Sequence, residues 1–304
     1  MVKLVRKADL AGRYRYGRQE ERAAFAFLLP ALLLLLVFIF YPMLKALLMS
    51  FQNVMLMSES SRFVGLDHYV SLFQDQFFLR SVRNTLYFAV VVLPVQTAIA
   101  LGLALLIRAR IRGVDLFRTV YFLPVVVSFA IASTVFKLIY NKDYGFLNAL
   151  LAEAGLPVVQ FLSDPKTSMI GIILLCIWKS MGLFMVIFLA GLNNISDDFY
   201  EAAQIDGAGR IRQFLHITLP LLKRTIGFVV IITTMDALKI FVPVYVTTAG
   251  GPAGSTTTIV YYIYEVAFNQ MNFGYASAAA FLFFICVLAV SVLQLRLFRS
   301  NLEY

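Results

Sequence analysis

The sequence predicts an all-α polytopic membrane protein with six transmembrane helices, and three observations carry that prediction. The 304 residues are 61% hydrophobic and 14% charged, with a mean hydropathy of +0.82, whereas soluble domains are roughly 45–50% apolar and about 25% charged. Six apolar blocks are long enough to cross a hydrocarbon layer of about 30 Å at a helical rise of about 1.5 Å per residue. The polar segments between the blocks alternate between rich and poor in Lys and Arg, the pattern that encodes topology.

In chain order, residues 1–22 form a basic tail carrying Lys3, Arg6, Lys7, Arg13, Arg15, Arg18 and Arg22. The first apolar block, 23–44, exceeds the roughly 7–15-residue core of a cleaved signal peptide and is read as a span. Further spans are expected at 84–107, 116–139, 169–192, 221–246 and 274–298, so that 23–304 forms a single transmembrane domain. Seventeen basic residues fall in the tail, in the loops 108–118 and 193–224, and at the C-terminus; six fall in the opposite segments. That asymmetry places both termini and the loop 193–220 in the cytoplasm.

On the outer side, Tyr69, Leu72, Phe73 and Phe77 recur at helical spacing and predict a helix lying along the membrane surface. Gly145, Gly155, Pro157 and Pro165 divide 140–168 into short pieces. The Gly-rich run 247–258 is not a phosphate cradle, because it lacks the Lys-Ser/Thr ending and a preceding strand and lies on the outer side. The formal net charge of +9 does not indicate nucleic acid, since the basic residues flank apolar blocks and form no basic helix. Cys176 and Cys286 sit within apolar blocks, and His68 and His216 lie on opposite sides, so neither a metal site nor a catalytic group is expected.

The loop 193–220 is the most ordered polar stretch. Ser196 can cap a helix whose first turn holds Asp197 and Asp198, where the helix dipole favours negative charge. Phe199, Ala202 and Ala203 then form a narrow face with small side chains, which permits close approach by a partner, and Gly207 stops the helix. A second short helix follows, with Ile211, Phe214 and Leu215 apolar and Arg210 and Arg212 basic, up to Leu219-Pro220.

Charge inside the spans is rare: Lys137, Lys179, Asp236 and Lys239. A mid-bilayer charge costs about 2.5–3.5 kcal/mol on insertion scales and usually faces a bundle interior or a water-filled cavity. Asp236 and Lys239, three residues apart, share a helix face and either neutralise each other, or Asp236 or Lys179 contacts a solute directly. Lys137 snorkels to the outer interface. Pro94, Pro124 and Pro243 can kink or break their spans. A path through spans three to five accounts for both the charges and the prolines.

The motif Glu201-Ala202-Ala203, three residues, Gly207, nine residues, Ile217, one residue, Leu219-Pro220 resembles the signature of the permease subunits of binding-protein-dependent ABC importers. Asp206, Gly207 and Ala208 extend it to the sugar-uptake branch that includes maltose and glycerol-phosphate importers. The resemblance runs along nearly the whole chain, through residues 63–69, Asn84-Thr85, residues 117–124 and Gly250-Gly251-Pro252 with Thr256.

That resemblance implies a type I importer fold, maltose-permease-like, with a cytoplasmic coupling helix, in a bacterial inner membrane. Glu201, Ala202, Ala203, Asp206 and Gly207 would couple to an ATPase. It also implies that the chain is no enzyme and holds no cofactor, ATP and Mg being bound by that partner. The expected partners are a second homologous permease, two ATP-binding cassette subunits and an extracytoplasmic solute-binding protein. Substrate contacts in the family lie on spans four and five, which points to Trp178, Lys179, Thr233, Asp236 and Ile240; Trp178 either stacks on a sugar or packs between helices. A stand-alone secondary transporter or channel using Lys179 and Asp236 is the alternative, and a non-transporting scaffold is a third reading.

Overall fold

The structure is a computed structural model that describes residues 20–55, 61–108 and 113–298. Most of the expected basic tail 1–22 lies outside the described residues, as do Arg110, Arg112 and Arg299 of the charge count. In chain order the elements are α1 (Glu20–Met49), the paired strands β1 (Gln52–Asn53) and β2 (Arg62–Phe63), α2 (Asp67–Gln74), α3 (Gln76–Arg108), α4 (Val114–Val126), α5 (Phe129–Ile139), α6 (Phe146–Glu153) and α7 (Ser168–Asn193). They continue with α8 (Asp198–Ile205), α9 (Arg210–Gln213), α10 (Lys223–Leu238), α11 (Val242–Thr247), α12 (Ile259–Tyr264) and α13 (Phe273–Phe298).

Five helical stretches among the described residues are long and apolar enough to cross a membrane, and a bent pair makes a sixth crossing. The bent pair is the expected third span, 116–139, which is two helices: α4 and α5 meet at 102°. Ser128 starts α5, its hydroxyl accepting from the Ile131 N–H at 3.3 Å. The second span begins earlier than expected, at Gln76, because the Asp75 carboxylate accepts from the Phe77 and Phe78 N–H groups at 2.7 and 3.3 Å and caps the helix there.

The prolines act unequally. Pro94 leaves the 33-residue α3 unbroken, whereas α4 ends two residues after Pro124. Pro243 stands in the first turn of α11, where its missing N–H would be unpaired in any case. Two further prolines widen the turn before them. A proline cannot donate to the carbonyl four residues back, and its ring crowds that carbonyl. Ahead of Pro42 and Pro220 the chain passes through π-helical segments, Leu36–Phe40 and Phe214–Thr218, closed by bonds from the Tyr41 and Leu219 N–H groups to the Leu36 and Phe214 carbonyls.

Lipid is as apolar as these side chains, so close packing and hydrogen bonding hold the bundle, rather than flight from water. α3 and α7 pack along their length. Ala100 and Ala104 meet Phe184, Met185 and Phe188 in one half, and Phe88 and Val92 meet Ile172 and Leu175 in the other. α7 reaches α4 at Gly182, where an added Cβ would lie 2.1 Å from the Tyr121 carbonyl oxygen. An outer cluster joins Leu72, Phe78 and Val266 to Ala278 and Ala279 of α13. By contrast α1 is exposed from Glu20 to Lys45, so its apolar surface is left for lipid or another subunit.

Polar bonds from the start of α3 brace the Gly-rich loop between α11 and α12. The Asn84 side-chain amide donates to the Gly254 and Thr257 carbonyls at 2.9 and 3.0 Å, Arg80 donates to the Ala253 carbonyl at 2.8 Å, and the Thr85 hydroxyl accepts from the Ile259 N–H. Tyr262 donates to Asp75, and burial together with that carboxylate pushes its phenol far above the usual tyrosine range. Asn84→Leu leaves two carbonyls without this donor and is expected to cost about 2 kcal/mol, read as a lower melting midpoint of the detergent-solubilised protein.

Candidate functional site

The breaks in spans three and five create a cavity of about 280 Å³ in an otherwise apolar bundle. Its polar groups are Gln96 from α3, Ser180 from α7, Thr233 and Asp236 from α10, and Lys239 at the end of α10. Phe129, Ile240 and Phe241 close it with apolar surface. Thr233 is 1% exposed, and among the described residues its hydroxyl oxygen has no hydrogen-bond partner. A buried hydroxyl left unpaired costs about 1–3 kcal/mol, so a bound hydroxyl-bearing solute or water would be favoured here. Asp236 and Lys239 both face this space, and among the described residues they make no ion pair within 4.0 Å.

Of the five residues expected along the path, Thr233, Asp236 and Ile240 meet at this cavity. Trp178 and Lys179 face the broken third span instead. The Trp178 ring lies against Phe136, with centroids 5.0 Å apart. Lys179 is 7% exposed; its ammonium donates to the Val125 carbonyl at 2.9 Å and sits 5.0 Å from the Phe129 ring. The physical reason is the break itself, since the last carbonyls of a helix lack intrahelical donors and a lysine can supply one. Gln96, Phe129 and Phe241 were not anticipated, because nothing in the sequence shows that α3 and the residues beyond each break converge.

The stretch 196–220 takes the expected helix–turn–helix form. The Ser196 hydroxyl accepts from the Asp198 N–H at 3.3 Å and opens α8. At its other end Gly207 adopts φ +75°; its N–H bonds the Gln204 carbonyl, and the Ala208 N–H bonds the Ala203 carbonyl at 2.8 Å. That pair of bonds is the Schellman closure, which needs a left-handed residue at this place.

Glu201, Ala202 and Asp206 are exposed and Ala203 is half-buried. The outward apolar surface is wider than expected, with Phe199 53% and Ile205 88% exposed. The inner side of α8 is tied to the bundle by Arg108, at the end of α3. Arg108 pairs with Asp197 at 2.9 Å, donates to the Tyr200 hydroxyl at 3.1 Å and lies over the Tyr200 ring, 4.8 Å from its centroid. Tyr200 in turn bonds Thr218 at 3.0 Å. Arg108 was counted only as a topological charge, and its reach to α8 is visible only in three dimensions.

Residues 98–301 match the family described as "binding-protein-dependent transport system inner membrane component". The chain is 33% identical to the trehalose/maltose transport system permease protein MalF of Thermococcus litoralis, over 96% of its own length and 98% of the relative's. It is 37% identical to the lactose transport system permease protein LacF of Rhizobium radiobacter, over 88% of this chain and 91% of that one. Among solved structures, it resembles a bacterial ABC transporter involved in the import of the acidic polysaccharide alginate, with a TM-score of 0.84 and 26% identity over 96% of this chain and 100% of the other. The match over most of the chain, on a bundle whose loop between α7 and α10 carries the Glu-Ala-Ala and Gly signature on an exposed capped helix, places this protein in the family of inner-membrane permease components of binding-protein-dependent transport systems.

Proposed function

We propose that this chain forms half of the translocation pore of an ATP-driven importer for a sugar or a related polyol or sugar derivative, delivered by an extracytoplasmic binding protein. The observation that carries the reading is the cavity between the broken spans, where the unpaired Thr233 hydroxyl, Gln96, Asp236 and Lys239 offer hydrogen-bonding groups to a hydroxyl-rich solute. The relatives that transport trehalose, maltose and lactose support the solute class. Asp236 and Lys239 are exposed in the single chain, as expected of a cavity that a second permease subunit completes.

In this reading α8 is the coupling helix. Glu201 makes a charged contact with a cytoplasmic ATP-binding subunit, while Ala202 and Ala203 allow close seating, and Asp206 with Gly207 shape the end of the docking helix. ATP and Mg are held by the two ATPase subunits, and this chain hydrolyses nothing. Both termini are cytoplasmic. Closure of the ATPase pair pulls α8, and Arg108 passes the movement to α3, which lines the cavity at Gln96.

The test is uptake into proteoliposomes holding the whole complex and its binding protein. Uptake that needs no ATPase subunit and follows an ion gradient would overturn the reading. Asp236→Ala is expected to raise the half-saturating solute concentration roughly tenfold or more, the cost of losing hydrogen bonds to a charged group, with membrane abundance unchanged. Unaltered transport by that variant would remove Asp236 from the path.

A further inference from the structure

The aromatic side chains between the midplane cavity and the outer face are not scattered. Phe241, at the break before α11, lines the cavity. Tyr245 stacks on it at 5.5 Å with 23° between planes, and Tyr264 of α12 approaches it at 5.2 Å. Tyr264 is 5.3 Å from Tyr245 and 5.3 Å from Phe268. Tyr261 stacks at 6.3 Å on Phe241 and also lines an outer pocket of about 490 Å³ together with Asp75, Glu265 and Gln270. Tyr245 is 46% and Phe268 55% exposed, while Phe241 and Tyr264 are half-buried, so the row presents free ring surface at Tyr245 and Phe268.

We propose that Phe241, Tyr245, Tyr264 and Phe268 form an aromatic track, flanking Glu265, along which sugar rings pass to the midplane cavity. The proposal rests on the sugar-import reading above. A pyranose has an apolar C–H face and a hydroxyl rim, and an aromatic ring beside an acceptor matches both. Here the acceptors stand at the two ends: Glu265 and Gln270 outside, Thr233 and Asp236 inside. Rings of an interfacial belt anchor a protein at headgroup level, whereas these contact one another, stacked between Phe241 and Tyr245 and edge-on between Tyr245 and Tyr264, and Phe241 reaches a cavity. Stacking is also tolerant of which hydroxyl points where, so a solute slides along the row without being trapped by directional bonds.

The experiment uses the complete importer with its binding protein in proteoliposomes, and trehalose, maltose and lactose as probes. Phe268→Leu and Tyr245→Leu remove a ring from an exposed position while keeping apolar bulk. Each is expected to lower the initial ATP-dependent uptake rate about three- to tenfold, the range of one aromatic contact. Phe268→Tyr and Tyr245→Phe keep the ring and restore uptake. If the wild type imports none of the three sugars, the sugar reading falls and the track with it. If the wild type imports and the Leu variants equal it, only the track is overturned. Equal loss in the ring-keeping variants, or loss of the second permease on co-purification with the Leu variants, also overturns it, because a fold or subunit contact would then be the cause.

Discussion

Glu201→Lys is expected to lower ATP-driven uptake more than tenfold while the chain inserts and accumulates as the wild type does. Glu201 is exposed on α8, outside every core cluster, so replacing it empties no packed space. What the substitution changes is charge at a surface whose apolar members, Phe199 and Ile205, are also turned outward. Breaking a desolvated charge pair at an interface costs about 2–5 kcal/mol, and a like charge placed there adds repulsion. By the affinity arithmetic that loss exceeds a factor of ten in ATPase occupancy. The check is co-purification of the ATPase subunits beside immunoblotted membrane abundance. Normal ATPase recovery with Glu201→Lys would remove Glu201 from the coupling surface, and a reduced chain level would show a structural role instead.

Gly182→Ala should lower both membrane abundance and the melting midpoint in detergent, a large effect for one methyl group. The added Cβ would fall 2.1 Å from the Tyr121 carbonyl oxygen, 2.8 Å from its carbon and 3.0 Å from the Phe122 Cα. All three are backbone atoms, so no rotamer change relieves the clash. Overpacking costs about 1–3 kcal/mol where neighbours can yield, and here α4 itself must move away from α7. That movement also strains the bond from Lys179 to the Val125 carbonyl further along α4. Gly102→Ala is the control, since a Cβ there meets nothing within 4 Å. Equal melting of the Gly182→Ala and Gly102→Ala proteins would contradict the α4–α7 contact.

The candidate site was legible in proportion to how local its signals are. The stretch 196–220 could be read in detail because capping, dipole and glycine termination act within a few residues, and the bonds at Ser196, Gly207 and Ala208 follow that reading. The outward position of Ile205 and the tie from Arg108 to Asp197 and Tyr200 could not be read, because they depend on how α3 ends beside α8. Within the membrane, rarity of charge pointed to Lys179 and Asp236 alike. Only one of them lines the cavity. Lys179 was claimed by a carbonyl that the break after Val126 sets free, and proline content does not say which of three prolines will be followed by a break.

By itself the sequence determined the membrane class, the apolar crossings, the family signature and the helix–turn–helix between the fourth and fifth spans, because hydropathy and turn chemistry are properties of short windows. Tertiary structure alone decided where spans three and five break, that the cavity opens between those breaks, and which side chains from α3, α7, α10 and the residues before α11 share it. The physical reason is that in lipid every long apolar helix satisfies its own backbone, so its rotation, its breaks and its neighbours are chosen by close packing at small residues and by the few polar groups that must find partners.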